Sequence, residues 1–218
     1  MDIRLAASPD EAAEYAGRWM AARIHEAIRR TDRANLAFSG GSTAPDLLSS
    51  IARADVPWEQ VSVWQVDERV APDGHPDRNA VVLSTLPSAV HVHPMPVTDG
   101  DLVRAAADYA TELPEVFDVV HLGVGDDGHT ASWPPGDSVV ESDRRVDLSG
   151  SYQGRVRMTL TPSVVNASRC RLVYVLGRSK AEVMSRWLLG DDSLPIGLVD
   201  RTNTVVVLDA EAGSLLPQ

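Results

Sequence analysis

The sequence predicts an α/β fold in which helices cover both faces of a mostly parallel sheet, giving a three-layer sandwich. Six apolar runs of strand length alternate with helical segments. The runs are apolar throughout, which is typical of parallel strands buried on both faces. The 218 residues, 44% hydrophobic and 23% charged, suit one globular domain over residues 1–218, and no repeat or low-complexity linker divides them.

The elements follow one another in a regular order. Ser8 is a predicted N-cap, Pro9 lies in the first turn and Glu11 completes a capping box. Apolar residues at three- and four-residue steps extend this helix to about Arg30. The predicted strands are residues 35–38, 61–66, 117–122, 156–161, 172–176 and 204–208. The helices predicted between them are residues 44–53, 79–86, 101–112 and 179–189. We predict a proline-containing loop at residues 90–100 and a long loop, or excursion, near the site at residues 133–154.

The charge balance limits the classes of partner. The formal net charge is −11, which disfavours nucleic acid and anionic lipid as partners. No run approaches the ~18 apolar residues of a membrane span, and the start lacks a secretory pattern, so we expect a cytoplasmic protein. We expect a monomer, because no heptad or strongly apolar helix demands a partner. The one cysteine, Cys170, is predicted to be a buried, inert thiol.

A glycine-rich segment follows the strand at residues 35–38. Gly40, Gly41, Ser42 and Thr43 lead into a helix, and such a turn lets backbone N–H groups and the helix dipole hold an anion. The segment lacks the Gly-Lys-Ser/Thr ending of a Walker A loop. It predicts a phosphate-binding loop, with an ordinary strand-to-helix turn as an equal alternative.

Further charged residues follow other strands. Asp67, Glu68 and Arg69 come after residues 61–66; the arginine suits bidentate phosphate binding, although such a triplet is often only solvated. Lys180, the single lysine, opens a helix and offers a compact charge for phosphate, or lies there by chance. Arg157 adds a charge to the same cleft or lies on an edge strand.

The segment after residues 117–122 matches a dinucleotide-binding pattern in form only. Its glycines at 123, 125 and 128 fit G-x-G-x-x-G, but two internal aspartates would repel a pyrophosphate and the prolines at 134 and 135 leave no room for the required helix. The alternative is a tight loop that presents Asp127 and His129. A histidine beside a carboxylate is typical of general base catalysis, whereas a capping or packing role is the simpler explanation.

The other histidines are weaker candidates for chemistry. His91 and His93 form a pair without a third ligand, which makes a metal site improbable. His25, His75 and His121 fall on a helix, in a polar loop and within a strand, and we interpret them as structural.

In this order and spacing, the motifs SGGST, VDER, GVGDDGHTAS, RMTLT and GRSKAE resemble those of the 6-phosphogluconolactonases, from about Asn35 to Ala210. The resemblance implies a Rossmann-like α/β fold shared with glucosamine-6-phosphate deaminases. It further implies hydrolysis of 6-phosphogluconolactone to 6-phosphogluconate in the oxidative pentose phosphate pathway, without a metal or organic cofactor. In the family's terms the catalytic residues are His129, Asp127 and Asp67. The phosphate-binding residues are Gly40, Gly41, Ser42 and Thr43, with Arg69, Lys180 and, on charge alone, Arg157.

Two rival functions remain open. A deaminase or isomerase would use Asp67 to move a proton, but its second motif typically ends in tyrosine where this chain has Arg69. A non-catalytic sugar-phosphate sensor would need neither Asp127 nor His129. The chain departs from the lactonase pattern at Ala44-Pro45, at Asp77-Arg78-Asn79 and at Trp133-Pro134-Pro135, and the last lies near enough to the catalytic loop to affect the pocket.

Overall fold

The computed structural model describes residues 1–217 and places strands and helices in alternation. The strands are β1 (Asp2–Ala6), β2 (Ala34–Phe38), β3 (Val61–Gln65), β4 (Asp67–Arg69), β5 (His91–His93), β6 (Val119–Leu122), β7 (Val146–Tyr152), β8 (Arg155–Leu160), β9 (Cys170–Val175) and β10 (Thr204–Asp209). The helices are α1 (Pro9–Thr31), α2 (Ala44–Ala52), α3 (Ala80–Leu83), α4 (Leu102–Glu112), α5 (Pro162–Ala167) and α6 (Ala181–Leu188).

The main sheet of the described residues has seven strands in the order β1-β10-β9-β6-β2-β3-β5. Every neighbouring pair in it is parallel, which confirms the predicted parallel sheet. Phe38 pairs with His121, and His121 in turn pairs with Leu172. The carboxyl ends of β2, β6 and β9 therefore lie side by side, and the loops that follow these strands meet at one edge.

Apolar clusters lie on both faces of this sheet. Val205 and Val207 of β10 pack in a cluster with α1 and α2 residues such as Ile24 and Leu47. Val206 and Leu208 point the other way, into a cluster with residues of α4 and α6. Alternate residues of one strand thus enter two cores, as a three-layer sandwich requires. None of the helices within residues 1–217 is both long and apolar enough to span a membrane.

The start of α1 agrees with its prediction. Ser8 Oγ accepts a hydrogen bond from the backbone N–H of Glu11 at 3.2 Å, and Pro9 occupies the first turn. The Glu11 carboxylate accepts from Ala7 N at 2.9 Å, one residue before the position that a capping box prescribes. Asp32 ends the helix in the left-handed conformation, with φ of 59°.

The strand predicted at residues 156–161 was assigned to the wrong sheet. It forms β8, which pairs antiparallel with β4 and β7 in a separate three-stranded sheet. The triplet Asp67–Arg69, predicted as a segment beyond a strand, is itself β4 because it pairs with β8. Arg69 lies directly opposite Arg157 in this pairing, so the small sheet carries two of the predicted site cations side by side.

Several smaller elements also differ from expectation. The helix predicted at residues 79–86 is confined to Ala80–Leu83, and the unpredicted strands β1 and β5 lie at the two edges of the main sheet. The excursion predicted at residues 133–154 is ordered into a 3-10 turn at Ser138–Glu141 and the strand β7. Cys170, half-buried, begins β9, and burial raises the pKa of its thiol.

Candidate active site

A cleft of about 210 Å³ lies at the carboxyl end of the main sheet, where the loops after β2, β6 and β9 meet the small sheet. Its lining includes nine of the residues singled out from the sequence, which are Gly40, Gly41, Ser42, Thr43, Asp67, Arg69, His129, Arg157 and Lys180. The tenth, Asp127, contacts His129 directly. Residues from five separate segments of the chain are therefore brought to one place.

The glycine-rich loop forms one end of the cleft. Gly41 has φ of +103°, a conformation that residues with a side chain rarely adopt. A Cβ on Gly40 would lie 2.1 Å from Asn79 Oδ1, so glycine allows the loop to pack against that amide. Helix α2 begins directly after Thr43, with Pro45 in its first turn, where a missing N–H breaks no helical hydrogen bond. The loop therefore directs the N-terminus of α2 toward the cleft.

Three cations line the same cleft, each with its own partner. Arg69 Nη1 donates to Asn79 Oδ1 at 2.8 Å, and Arg157 Nη2 donates to Gln153 Oε1 at 3.0 Å. Lys180 Nζ forms an ion pair with Asp126. Since the whole chain carries −11, this is a local reversal of charge suited to an anionic group.

Asp67 is buried in the wall of the cleft. Its carboxylate accepts from Ser132 Oγ at 2.6 Å and from Asn79 Nδ2 at 3.2 Å. Burial raises the pKa of Asp67, and the opposing effects of the Ser132 hydrogen bond and the charges of Arg69 and Arg157 do not cancel that rise. Asp67 therefore retains its proton to a higher pH than an exposed aspartate does.

The loop after β6 holds His129 against Asp127. His129 Nδ1 lies 2.6 Å from Asp127 Oδ1, and the backbone N–H of His129 donates to the same oxygen at 3.2 Å. A Cβ on Gly125 would lie 1.9 Å from His129 Nδ1, so the glycine is needed for this approach. The contact that residue spacing alone left undecided is therefore present.

The protonation of the pair follows from its hydrogen bonds. Burial acts to raise the pKa of Asp127, but hydrogen bonds from Tyr152 and His129 outweigh it and lower the pKa to about 2. An ionised carboxylate can only accept, so the neutral His129 ring donates from Nδ1. Its Nε2 then carries the free lone pair, the arrangement that a general base needs.

Other sequence interpretations can now be compared with the structure. No long helix follows the loop at residues 123–130 within the described chain, in agreement with rejection of the dinucleotide pattern. Trp133 packs in the apolar core, where its Nε1 donates to Leu160 O at 2.8 Å, and it is not among the residues that line the cleft. His93 stacks on Trp64, with the ring centres 4.1 Å apart. Residues 1–217 contain no cluster of three or more His, Cys, Asp or Glu side chains suited to a metal ion.

Sequence reasoning missed Tyr152, Gln153 and Ser132. The Tyr152 hydroxyl donates to Asp127 Oδ2 at 2.6 Å, and Gln153 lines the cleft beside Arg157. Both residues lie at the tip of the β7–β8 hairpin, which enters the site from the small sheet rather than from a parallel strand end. A sequence signal existed in Gln153-Gly154, a turn-forming pair between two extended segments, but it did not indicate which residues the turn would approach.

Comparison with known proteins identifies the family. The model of the glucosamine-6-phosphate isomerases/6-phosphogluconolactonase family matches residues 7–208. The chain belongs to this family. A 6-phosphogluconolactonase of Synechocystis is 33% identical over 179 residues, 74% of each chain. One of Streptomyces coelicolor is 32% identical, with 94% of this chain and 91% of that protein covered.

Solved structures of other proteins share the fold of this chain. A 6-phosphogluconolactonase from Shewanella baltica superposes with a TM-score of 0.87 at 24% identity, covering 96% of this chain and 98% of that one. A monomeric glucosamine-6-phosphate deaminase superposes with a TM-score of 0.84 at 18% identity, covering 99% of this chain and all of that one. Because both activities occur on this fold, the fold alone does not select the reaction.

Proposed function

We propose that the protein hydrolyses 6-phosphogluconolactone to 6-phosphogluconate, a step of the oxidative pentose phosphate pathway. The observation that carries the proposal is the pairing of His129 with Asp127 in a cleft that also contains a glycine-rich loop and three cations. The relatives named 6-phosphogluconolactonase, at 32% and 33% identity, support the lactone as the substrate.

The phosphate group of the substrate would bind at the cationic end. Backbone N–H groups of residues 40–43 and the N-terminus of α2 attract an anion, and Arg69, Arg157 and Lys180 add charge-assisted hydrogen bonds. The phosphate does not react, so its binding energy serves to position the lactone ring beside His129.

His129 would act first as a base and then as an acid. Nε2 takes a proton from a water molecule while the water oxygen forms a bond to the lactone carbonyl carbon and the carbonyl electron pair moves to oxygen. When that pair returns, the bond from this carbon to the ring oxygen breaks, and the ring oxygen takes the proton from Nε2. Acid–base catalysis of this kind contributes roughly 10²–10⁴-fold.

The two carboxylates would have different roles. Asp127 holds the Nδ1 proton and stabilises the imidazolium that forms while Nε2 carries the second proton. Asp67, buried in the cleft wall, is assigned to hydrogen bonding with a hydroxyl group of the sugar. The same carboxyl would carry the proton in an isomerase, so the reaction products must separate the two functions.

The test is a substrate panel with the wild-type protein. Freshly prepared 6-phosphogluconolactone, coupled to 6-phosphogluconate dehydrogenase, should be hydrolysed well above the spontaneous rate. Gluconolactone without phosphate should show a KM at least tenfold higher, because it lacks the charged group that the cations bind. Ammonia release from glucosamine 6-phosphate without lactone hydrolysis would contradict the proposal and favour the deaminase. Binding of the phosphosugars without turnover would favour the sensor.

We further propose that the protein acts as a cytoplasmic monomer without a metal or organic cofactor. One chain supplies all the residues assigned above, and hydrolysis of an activated ester by a general base requires no further group. Light scattering should give the mass of one 23.5 kDa chain, and dialysis against a chelator should leave the lactonase rate unchanged. A dimer mass would contradict the monomer, and loss of the rate on chelation would contradict the absence of a metal. Recovery of the protein with the membrane fraction of its cells would contradict the cytoplasmic location.

A further inference from the structure

Tyr152 completes the hydrogen bonding of the Asp127–His129 pair. Its hydroxyl donates to Asp127 Oδ2 at 2.6 Å, while Asp127 Oδ1 takes the His129 ring nitrogen. The tyrosine oxygen also lies 3.2 Å from His129 Nδ1, where it can accept a second, weaker hydrogen bond from the same N–H. Both carboxylate oxygens are therefore engaged, although the Asp127 side chain is 37% exposed.

The hairpin holds this tyrosine in a fixed place. Tyr152 pairs with Arg155 across a two-residue turn in which Gln153 and Gly154 have φ of +51° and +80°, as a type I′ turn requires. The guanidinium of Arg157 lies 4.9 Å from the centre of the Tyr152 ring. Gln153 Nε2 donates to the tyrosine hydroxyl at 3.3 Å.

A second contact fixes the hairpin to the opposite wall. Arg155 donates from Nε and Nη2 to Asp77 Oδ2, at 3.1 and 2.9 Å. Asp77 belongs to the loop whose carbonyl oxygen and Asn79 side chain accept from Arg69. The position of the tyrosine hydroxyl is thus tied both to its own turn and to the loop that holds a cation of the cleft.

A carboxylate held through one oxygen rotates about its Cβ–Cγ bond and exchanges its partners for water more readily than one held through both oxygens, and among residues 1–217 only Tyr152 donates to Oδ2 of Asp127. We propose that Tyr152 is a positioning residue that locks the Asp127 carboxylate and thereby keeps His129 protonated on Nδ1 and basic at Nε2. This inference rests on the proposed lactone hydrolysis for its kinetic consequence, but the locked tautomer is a property of the free protein.

The kinetic test is Tyr152→Phe, which removes the hydroxyl and retains the ring against Arg157. We expect kcat for the lactone to fall about tenfold, the scale of losing one hydrogen bond to a charged group, with KM changed less than twofold. Tyr15→Phe makes the same substitution on α1, away from the cleft, and should retain the wild-type kcat. Gln153→Asn keeps a residue that tolerates positive φ but shortens the amide that reaches the hydroxyl, and kcat should fall about threefold.

The tautomer is measured by NMR on the free protein labelled with ¹⁵N-histidine. In the wild type the His129 ring should be the Nδ1-protonated form, and in Tyr152→Phe it should shift toward a mixture with the Nε2-protonated form. An unchanged tautomer together with unchanged kcat would overturn the inference while leaving the lactonase intact. If the wild type fails to hydrolyse the lactone, the proposed function fails and the NMR comparison alone decides the inference.

Discussion

The buried His121, in the strand that precedes the catalytic loop, predicts a measurable dependence of folding stability on pH. Its ring is fully buried in β6, and neither ring nitrogen has a well-formed hydrogen-bond partner among the described residues. Burial lowers the pKa of His121 to about 4, from an ordinary value of about 6.5. Below pH 6.5 the unfolded chain therefore binds a proton that the folded chain excludes, and the folded state loses stability as pH falls toward 4.

The size of this loss follows from the two pKa values. With about 1.4 kcal/mol for each pH unit, the free energy of unfolding should fall through this residue by about 1.4 kcal/mol between pH 7.5 and pH 5.5, and by about 3 kcal/mol at pH 4. His121→Leu replaces the ring by an apolar side chain, so the wild type should lose that much stability relative to the variant over the same range. The carboxylates titrate in both proteins and cancel in the comparison.

The assay is urea unfolding followed by tryptophan fluorescence at pH 7.5, 6.5 and 5.5, above the sequence pI of about 4.9. His91→Leu removes an exposed histidine of the edge strand β5 and should retain the wild-type dependence on pH. Equal pH dependence of the wild type and His121→Leu would refute the assignment of His121 as a buried neutral ring.

Three further predictions concern the site and its support. Gly125→Ala should lower kcat at least tenfold, because the new Cβ would displace the His129 ring. Gly100→Ala, which lies outside the cleft and whose Cβ would meet nothing within 4 Å, should stay near the wild-type rate; equal lactonase rates for the two variants would contradict this. Lys180→Ala should raise KM for the phosphorylated lactone about tenfold or more and leave kcat nearly unchanged. A lower kcat with an unchanged KM, measured by steady-state kinetics at low ionic strength, would contradict this. Glu68→Gln should destabilise the fold by about 3–5 kcal/mol, since it removes the buried charged partner of Arg78 and leaves that guanidinium only the exposed Asp73; a cost under about 1 kcal/mol in urea unfolding would contradict this.

Sequence periodicity and helix-capping residues were sufficient to predict the strands and helices whose own residues form the core. The continuous apolar runs of β2, β6, β9 and β10 are buried on both faces, so composition alone marked them as parallel strands. β1 escaped prediction because four of its five residues are exposed, and it is a strand only through its pairing with β10. β5 has three residues, too few for a pattern to register.

The three consecutive charges of residues 67–69 did not indicate the strand β4. Three consecutive charged residues indicate a solvated segment, yet Glu68 is fully buried. Its carboxylate is satisfied by Gln65, Arg78 and the backbone N–H groups of residues 69, 79 and 80. These partners are distributed over residues 65–80, and their convergence on one carboxylate is a property of the fold rather than of the local sequence.

The candidate site was predictable where the chemistry follows a parallel strand. The rule that ligands bind beyond the carboxyl ends of such strands located the glycine-rich loop, the loop with His129 and the Lys180 helix. The same rule could not identify Tyr152, because this residue enters the cleft on an antiparallel hairpin and does not follow a parallel strand. That hairpin became visible only once β8 was paired with β4 in the small sheet.

The most direct test of the central claim is the rate of lactone hydrolysis by the wild type and His129→Asn, each measured against the spontaneous reaction. The proposed mechanism predicts acceleration by the wild type that falls by about two to four decades in the variant, because the general base is lost while the phosphate site is retained. KM should change little between the two proteins. A wild-type rate equal to the spontaneous rate would contradict the proposed function, and full activity in His129→Asn would contradict the role of His129.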